Sequence, residues 1–96
     1  MRICEVIGTV TLSRIHPTLV GGSLRLAVPL SLANLTGESK TRAEALVVYD
    51  TLGAGVGERI AVSEGGEAAQ PFRPEEKPVD AYSAAILDQV RVQPLK

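Results

Sequence analysis

Few residues of this chain carry chemically versatile side chains, and their spacing does not bring them together. His16 is the only histidine and Cys4 the only cysteine. A metal site or catalytic triad needs more than a lone imidazole. A Cys–His pair needs nucleophile, base and orienter to converge, and nothing in the spacing of Cys4 and His16 supplies that. Cys4 reads instead as a small core hydrophobe. Asp50, Glu58, Asp80 and Asp88 are scattered acids. Carboxylates do acid–base work when two share a site and burial drives their pKa values apart, and no motif sets two of these side by side. Their structural roles are better supported: Asp50 caps a glycine turn, and Asp80 caps the segment after Pro78. Asp88, inside an apolar run, bonds backbone or crosses a subunit contact, because a buried carboxylate must be satisfied. The expectation is no catalytic residue, no cofactor and no metal.

The densest feature is Asp50-Thr51-Leu52-Gly53-Ala54-Gly55-Val56-Gly57-Glu58, with glycines at alternate positions between two strand-like runs. It is not a dinucleotide fingerprint: the third glycine comes one position early and no helical pattern follows. It also lacks the Gly-Lys-Ser/Thr ending of a phosphate-binding loop. Glycine is used where φ is positive or another backbone comes close. A glycine-dense turn with no chemistry beside it therefore reads as a packing surface, with another copy of the chain as the expected partner.

The elements around this loop are short. Ninety-six residues make one domain, 1–96. Hydrophobic residues are 45% of the chain, but the aromatics are only Tyr49, Phe72 and Tyr82, spread along the sequence. The core must be built from Val, Ile, Leu and Ala, which gain less per side chain than aromatics, and assembly into an oligomer would offset that shortfall. The net charge is -1 with acids and bases interspersed, so binding to a phosphate backbone has no electrostatic support. Met1-Arg2-Ile3-Cys4-Glu5 is not a signal peptide, and no apolar run approaches a membrane span. The reading is a soluble, intracellular protein.

Residues 3–12 alternate with period two and read as a strand, with Gly8 marking a bend or bulge. Leu24 to Val28 is a second strand, stopping near Pro29. Residues 30–42 read mostly as loop. Strands are expected over 43–49 and 58–63, with one helical turn at 67–70 and an exposed charged segment at 73–77. Residues 79–92 permit a helix by propensity but also alternate, and a strand over 83–92 is favoured. Short strands with Gly/Pro turns make a small barrel or sandwich. A small barrel could be a binding module for nucleic acid, peptide or small ligand, but three scattered aromatics and no basic cluster argue against single strands.

Taken in order, these segments resemble the pentameric shell vertex proteins of bacterial microcompartments, of the carboxysome and ethanolamine-utilisation type. The resemblance is carried by Arg2-Ile3-x-x-Val6-x-Gly8-Thr9-Val10, by Arg14 to Gly21, by Asp50-x-x-Gly53-Ala54-Gly55-x-Gly57-Glu58, and by Pro78-Val79-Asp80-Ala81 with Ile86-Leu87-Asp88-x-Val90. It covers nearly the whole chain. One departure stands out: the family usually has Gly-Ser-Ser-Ala-Arg after the fourth strand, and this chain has Gly65-Gly66-Glu67-Ala68-Ala69, so no role of that arginine carries over. The resemblance implies an all-β fold with small α content, a five-stranded oligonucleotide-binding-like barrel that closes into a cyclic pentamer. It implies a structural, non-enzymatic role at shell vertices in the bacterial cytoplasm, beside hexameric and trimeric shell proteins, with no nucleic acid and no membrane. The subunit contacts expected are Asp50, Gly53, Ala54, Gly55, Gly57, Glu58, Pro78, Asp80 and Asp88.

Overall fold

A computed structural model of the chain describes residues 1–11, 17–73 and 79–92. Five strands, β1 (Arg2–Val10), β2 (Ser23–Pro29), β3 (Leu46–Asp50), β4 (Arg59–Glu64) and β5 (Ala81–Leu87), close into a barrel in the order β1-β2-β3-β5-β4. This is the five-stranded barrel that the resemblance implies.

β1 closes the barrel because it is long enough to serve two neighbours. Its residues Arg2 to Glu5 pair antiparallel with β4, and Cys4 to Val10 pair antiparallel with β2. Alternation sends Cys4 and Val6 into the interior, where both are fully buried. The register against β2 slips between Val6 and Gly8, so Ile7 is an extra residue left half-exposed on the outside. A bulge of this kind bends a strand and increases its twist, which barrel closure requires. The irregularity marked by Gly8 in the sequence is therefore present. The remaining seam, β3 to β5, is parallel and consists of the single bridge Tyr49↔Tyr82.

Two strands differ from their sequence reading. β5 begins at Ala81 and ends at Leu87 rather than running from 83 to 92. Its ladder partner β4 starts at Arg59, opposite Leu87, so nothing pairs with the residues beyond. β3 begins at Leu46 rather than 43, because its ladder with β2 runs out at Ala27↔Leu46. Leu12, His16 and residues 74–78, including Pro78, lie outside the described residues.

The stretch read as loop contains a short helix, α1 (Leu32–Thr36). The Ser31 side chain accepts the Asn34 amide at 3.1 Å while the Asn34 side chain accepts the Ser31 amide at 3.0 Å, a reciprocal N-terminal cap. Gly37 ends the helix in the left-handed conformation, φ 81. After β4 a 3-10 helix spans Gly65–Phe72, longer than the single turn expected, with Ala68 buried beneath it.

The core is aliphatic and small: Cys4, Val6, Ala27, Val48, Ala54, Ile60, Val62 and Ala81, with Leu46 and Ile86 against it. The aromatics, far apart in sequence, meet in space. Tyr49 lies 5.6 Å from Phe72 and 6.4 Å from Tyr82 by ring centroids, and Phe72 lies 4.8 Å edge-on to Tyr82. Phe72 and Tyr82 are carried there by the 3-10 helix and by β5.

Candidate functional site

The glycine loop between β3 and β4 is built around one carboxylate. Asp50 ends β3 two residues after the buried Val48, and Arg25 on β2 stands opposite Val48 in the ladder. Both side chains therefore leave from the inward side of the barrel wall. The Asp50 carboxylate is buried and accepts three backbone N–H groups: Leu52 at 3.2 Å on Oδ1, and Gly53 and Ala54 at 2.9 Å each on Oδ2. Arg25 donates from Nε to the Ala54 carbonyl at 2.7 Å, and its terminal nitrogen stands 3.9 Å from Asp50 Oδ2. Ala54 is folded inward and joins the core.

The second half of the loop is held by Glu58 and by β1. The Glu58 carboxylate accepts the Gly55 N–H at 2.6 Å, and the Glu58 N–H donates back to the Gly55 carbonyl at 3.1 Å. Gly57 donates to the Val6 carbonyl at 2.8 Å and Val6 donates to the Glu58 carbonyl at 2.9 Å, which extends the β1–β4 ladder into the loop. Gly53 and Gly57 have φ of 79 and 91, a region that side-chain-bearing residues rarely adopt.

This geometry decides between the two uses of a glycine-rich loop. A phosphate cradle needs backbone N–H groups aimed at an empty place. Here the amides of Leu52, Gly53, Ala54 and Gly55 are already taken by the chain's own carboxylates, Asp50 and Glu58. What the loop presents outward is apolar: Leu52 is 47% and Val56 67% exposed. The loop is braced from within and carries two outward apolar side chains.

The expected contact residues separate into distinct places. Gly53, Gly55, Gly57 and Glu58 are exposed along the loop. Asp50 and Ala54 are buried inside the protomer and shape the loop from within. Asp88 is not inside a strand and is not buried; it is exposed just after Leu87. Because Leu87 pairs with Arg59, Asp88 sits at the same barrel end as Glu58. Asp80 is exposed at the other end of β5, before Ala81, which pairs with Glu64. Its backbone carbonyl accepts the Gly65 N–H at 2.7 Å, so it works through its main chain there. A strand the length of β5 holds the two acids roughly 25 Å apart. Pro78 lies outside the described residues. Leu52, Val56 and Arg25 are contributions the sequence reading missed; the first two occupy variable positions of the loop motif, and Arg25 is a lone charge within an apolar strand.

Among the described residues no group of three or more His, Cys, Asp or Glu is gathered as a metal ion would need. No helix there is long and apolar enough to cross a membrane.

Comparison with known proteins supplies the class that this fold and loop belong to, the vertex proteins of microcompartment shells. A family model described as "Ethanolamine utilisation protein EutN/carboxysome" matches residues 1–88, and the chain belongs to that family. The carboxysome shell vertex protein CcmL of Synechococcus elongatus is 37% identical over 93 residues, covering 97% of this chain and 89% of its own length. The solved structure of Gloeobacter violaceus CcmL superposes with a TM-score of 0.79 at 33% identity, over 96% of this chain and 90% of the other. The structure described as the GrpN pentameric microcompartment shell protein from Rhodospirillum rubrum superposes at 0.77, with 31% identity, over 97% of this chain and all of the other.

Proposed function

We propose that five copies of this chain form a closed ring that caps a vertex of a bacterial microcompartment shell, in the bacterial cytoplasm, with no catalysis and no cofactor. The observation that carries this reading is the glycine loop, which holds two exposed apolar side chains, Leu52 and Val56, on a backbone braced from within. A flat layer of hexameric tiles cannot enclose a volume without fivefold defects, and a ring of five fills such a defect. A cyclic ring needs a heterologous interface, with two different patches on each subunit. One patch is the loop, with Gly53, Gly55, Gly57 and Glu58 and the adjacent Asp88. The opposite end of β5, with Asp80, belongs to a second. Hexameric and trimeric shell proteins are the partners at the ring's rim.

The alternative, a barrel that binds single-stranded nucleic acid, requires aromatic faces open to bases. Here Tyr49 is buried, and Phe72 packs edge-on against both Tyr49 and Tyr82. Light scattering on a sizing column at two concentrations and two salt levels tests the ring. A mass of five protomers, unchanged by salt, is the expected result. A protomer mass under all conditions would overturn the ring.

A further inference from the structure

We propose that Arg25 is a positioning residue for assembly: it and Asp50 hold the two peptide groups that flank Ala54 and fix the glycine loop in its contact shape before a neighbour arrives. This rests on the reading that the loop is a ring contact. The Ala54 N–H goes to Asp50 at 2.9 Å and the Ala54 carbonyl to Arg25 at 2.7 Å. The two peptide groups that flank Ala54 are therefore each held by a side chain, and the two side chains leave adjacent strands. Arg25 also stands nearest the buried Asp50 carboxylate as a positive charge, at 3.9 Å, and its side chain is itself only 17% exposed. A buried carboxylate without a cation beside it is costly. Removing the guanidinium thus weakens both halves of the grip: the direct bond to Ala54 and the balance of the charge that holds Leu52, Gly53 and Ala54.

The consequence is a loop ordered in the free protomer. Association then does not have to spend binding energy on immobilising it, the usual gain from preorganisation. Arg25 acts at a distance from the contact. Leu52 and Val56 touch the neighbour, and Arg25 decides where they point.

The test uses Arg25→Met, which keeps the side-chain stem, and Arg25→Lys, which keeps the charge without the planar fork. Each is made in the full chain and again with Val56→Glu, which removes the apolar tip. Hydrogen exchange at the Gly53 and Ala54 amides is read in the Val56→Glu pair, where both proteins are protomers, so that ring burial does not contribute. In Arg25→Met those amides exchange about tenfold faster or more, and in the Val56-containing chain the ring dissociates at a concentration about tenfold higher or more. Arg25→Lys falls between, and circular dichroism shows the barrel retained. Unchanged exchange, or faster exchange with an unchanged ring, overturns the proposal. Failure of both Arg25 variants to fold also overturns it, since Arg25 would then serve the barrel rather than the loop. If Val56→Glu alone leaves the ring intact, the contact placement is what fails, and the proposal fails with it. A protomeric wild-type chain, seen before any variant is made, is the separate failure of the ring itself.

Discussion

Gly22 lies so close to the Tyr49 ring that a Cβ there would stand 2.4 Å from Cζ and 2.5 Å from the hydroxyl oxygen. The ring has little room to move: Tyr49 is 3% exposed, donates its hydroxyl to the Leu19 carbonyl at 3.3 Å, and packs against Phe72 and Tyr82. Gly22→Ala is expected to destabilise the protomer by about 1–3 kcal/mol, the usual cost of overpacking. Urea unfolding followed by tyrosine fluorescence measures it. A loss below about 0.5 kcal/mol, the scatter of an ordinary surface substitution, would mean that the ring swings aside freely.

Ser83 points a hydroxyl into the interior of β5. Its Oγ is buried and, among the described residues, has no hydrogen-bond partner. A buried hydroxyl without a partner costs free energy that a methyl group does not. Ser83→Ala is therefore expected to raise stability by about 1 kcal/mol, read as an upward shift in thermal midpoint. A drop in midpoint of similar size would show that the hydroxyl is satisfied in solution.

The barrel's first and fourth strands are pinned at one end by Arg2, whose guanidinium forks onto Glu64, one of the two bonds being 2.9 Å. The hydrogen bond from Arg2 holds the Glu64 carboxyl below its ordinary range. The folded pKa is thus depressed, so the pair's stabilisation is present above the unfolded carboxylate value and is lost as pH falls through the folded one. Both side chains are substantially exposed, 52% and 36%, and solvent screening keeps the effect small. Glu64→Gln is expected to be slightly less stable than the parent at neutral pH, with the difference vanishing in acid and shrinking in high salt. Denaturant midpoints at several pH values check this. A difference that grows as pH falls would contradict it.

Cys4 is buried in the core, and burial pushes its thiol up from the ordinary cysteine value. A thiol both inaccessible and protonated is a poor nucleophile. A disulfide-forming colour reagent is expected to label it only as fast as the chain opens, with full reaction in denaturant. Labelling at the rate of a free model thiol in the native state would remove Cys4 from the core.

Much of the fold could be read because its periodicities are local. Cys4 and Val6 alternate inward with Glu5 between them, and Gly8 marks the bulge beside them. The glycine loop stood out because its glycines are dense, and Asp50 caps it as an aspartate beside a turn does. What escaped depends on contacts made across the chain. The aromatic trio joins residues from β3, β5 and the 3-10 helix, and no window of sequence contains all three. Arg25 is a single charge in an apolar strand, and only the ladder sets it opposite Val48. Asp88 looked buried because Ala84 to Val92 alternate well. The strand nonetheless stops where β4 has no further residue to pair with it, and pairing, not pattern, decides where a strand ends. Helix α1 was legible in principle: Ser31, Asn34 and Gly37 are its caps, but five residues between them carry too little periodicity to outweigh the polar stretch that follows.

β1 sets the order in which this chain can fold. Along one of its edges Arg2 to Glu5 pair with β4, Arg2 opposite Val62, so that edge stays bare until β4 reaches it. Closing so long a loop is slow compared with forming a hairpin. The β1–β2 hairpin closes the shorter loop and is expected to form first, leaving one edge of Arg2 to Glu5 open to a stray strand until β4 arrives. A closed barrel therefore passes through an interval when one edge stands open, and dilute refolding is expected to give a higher yield than concentrated refolding.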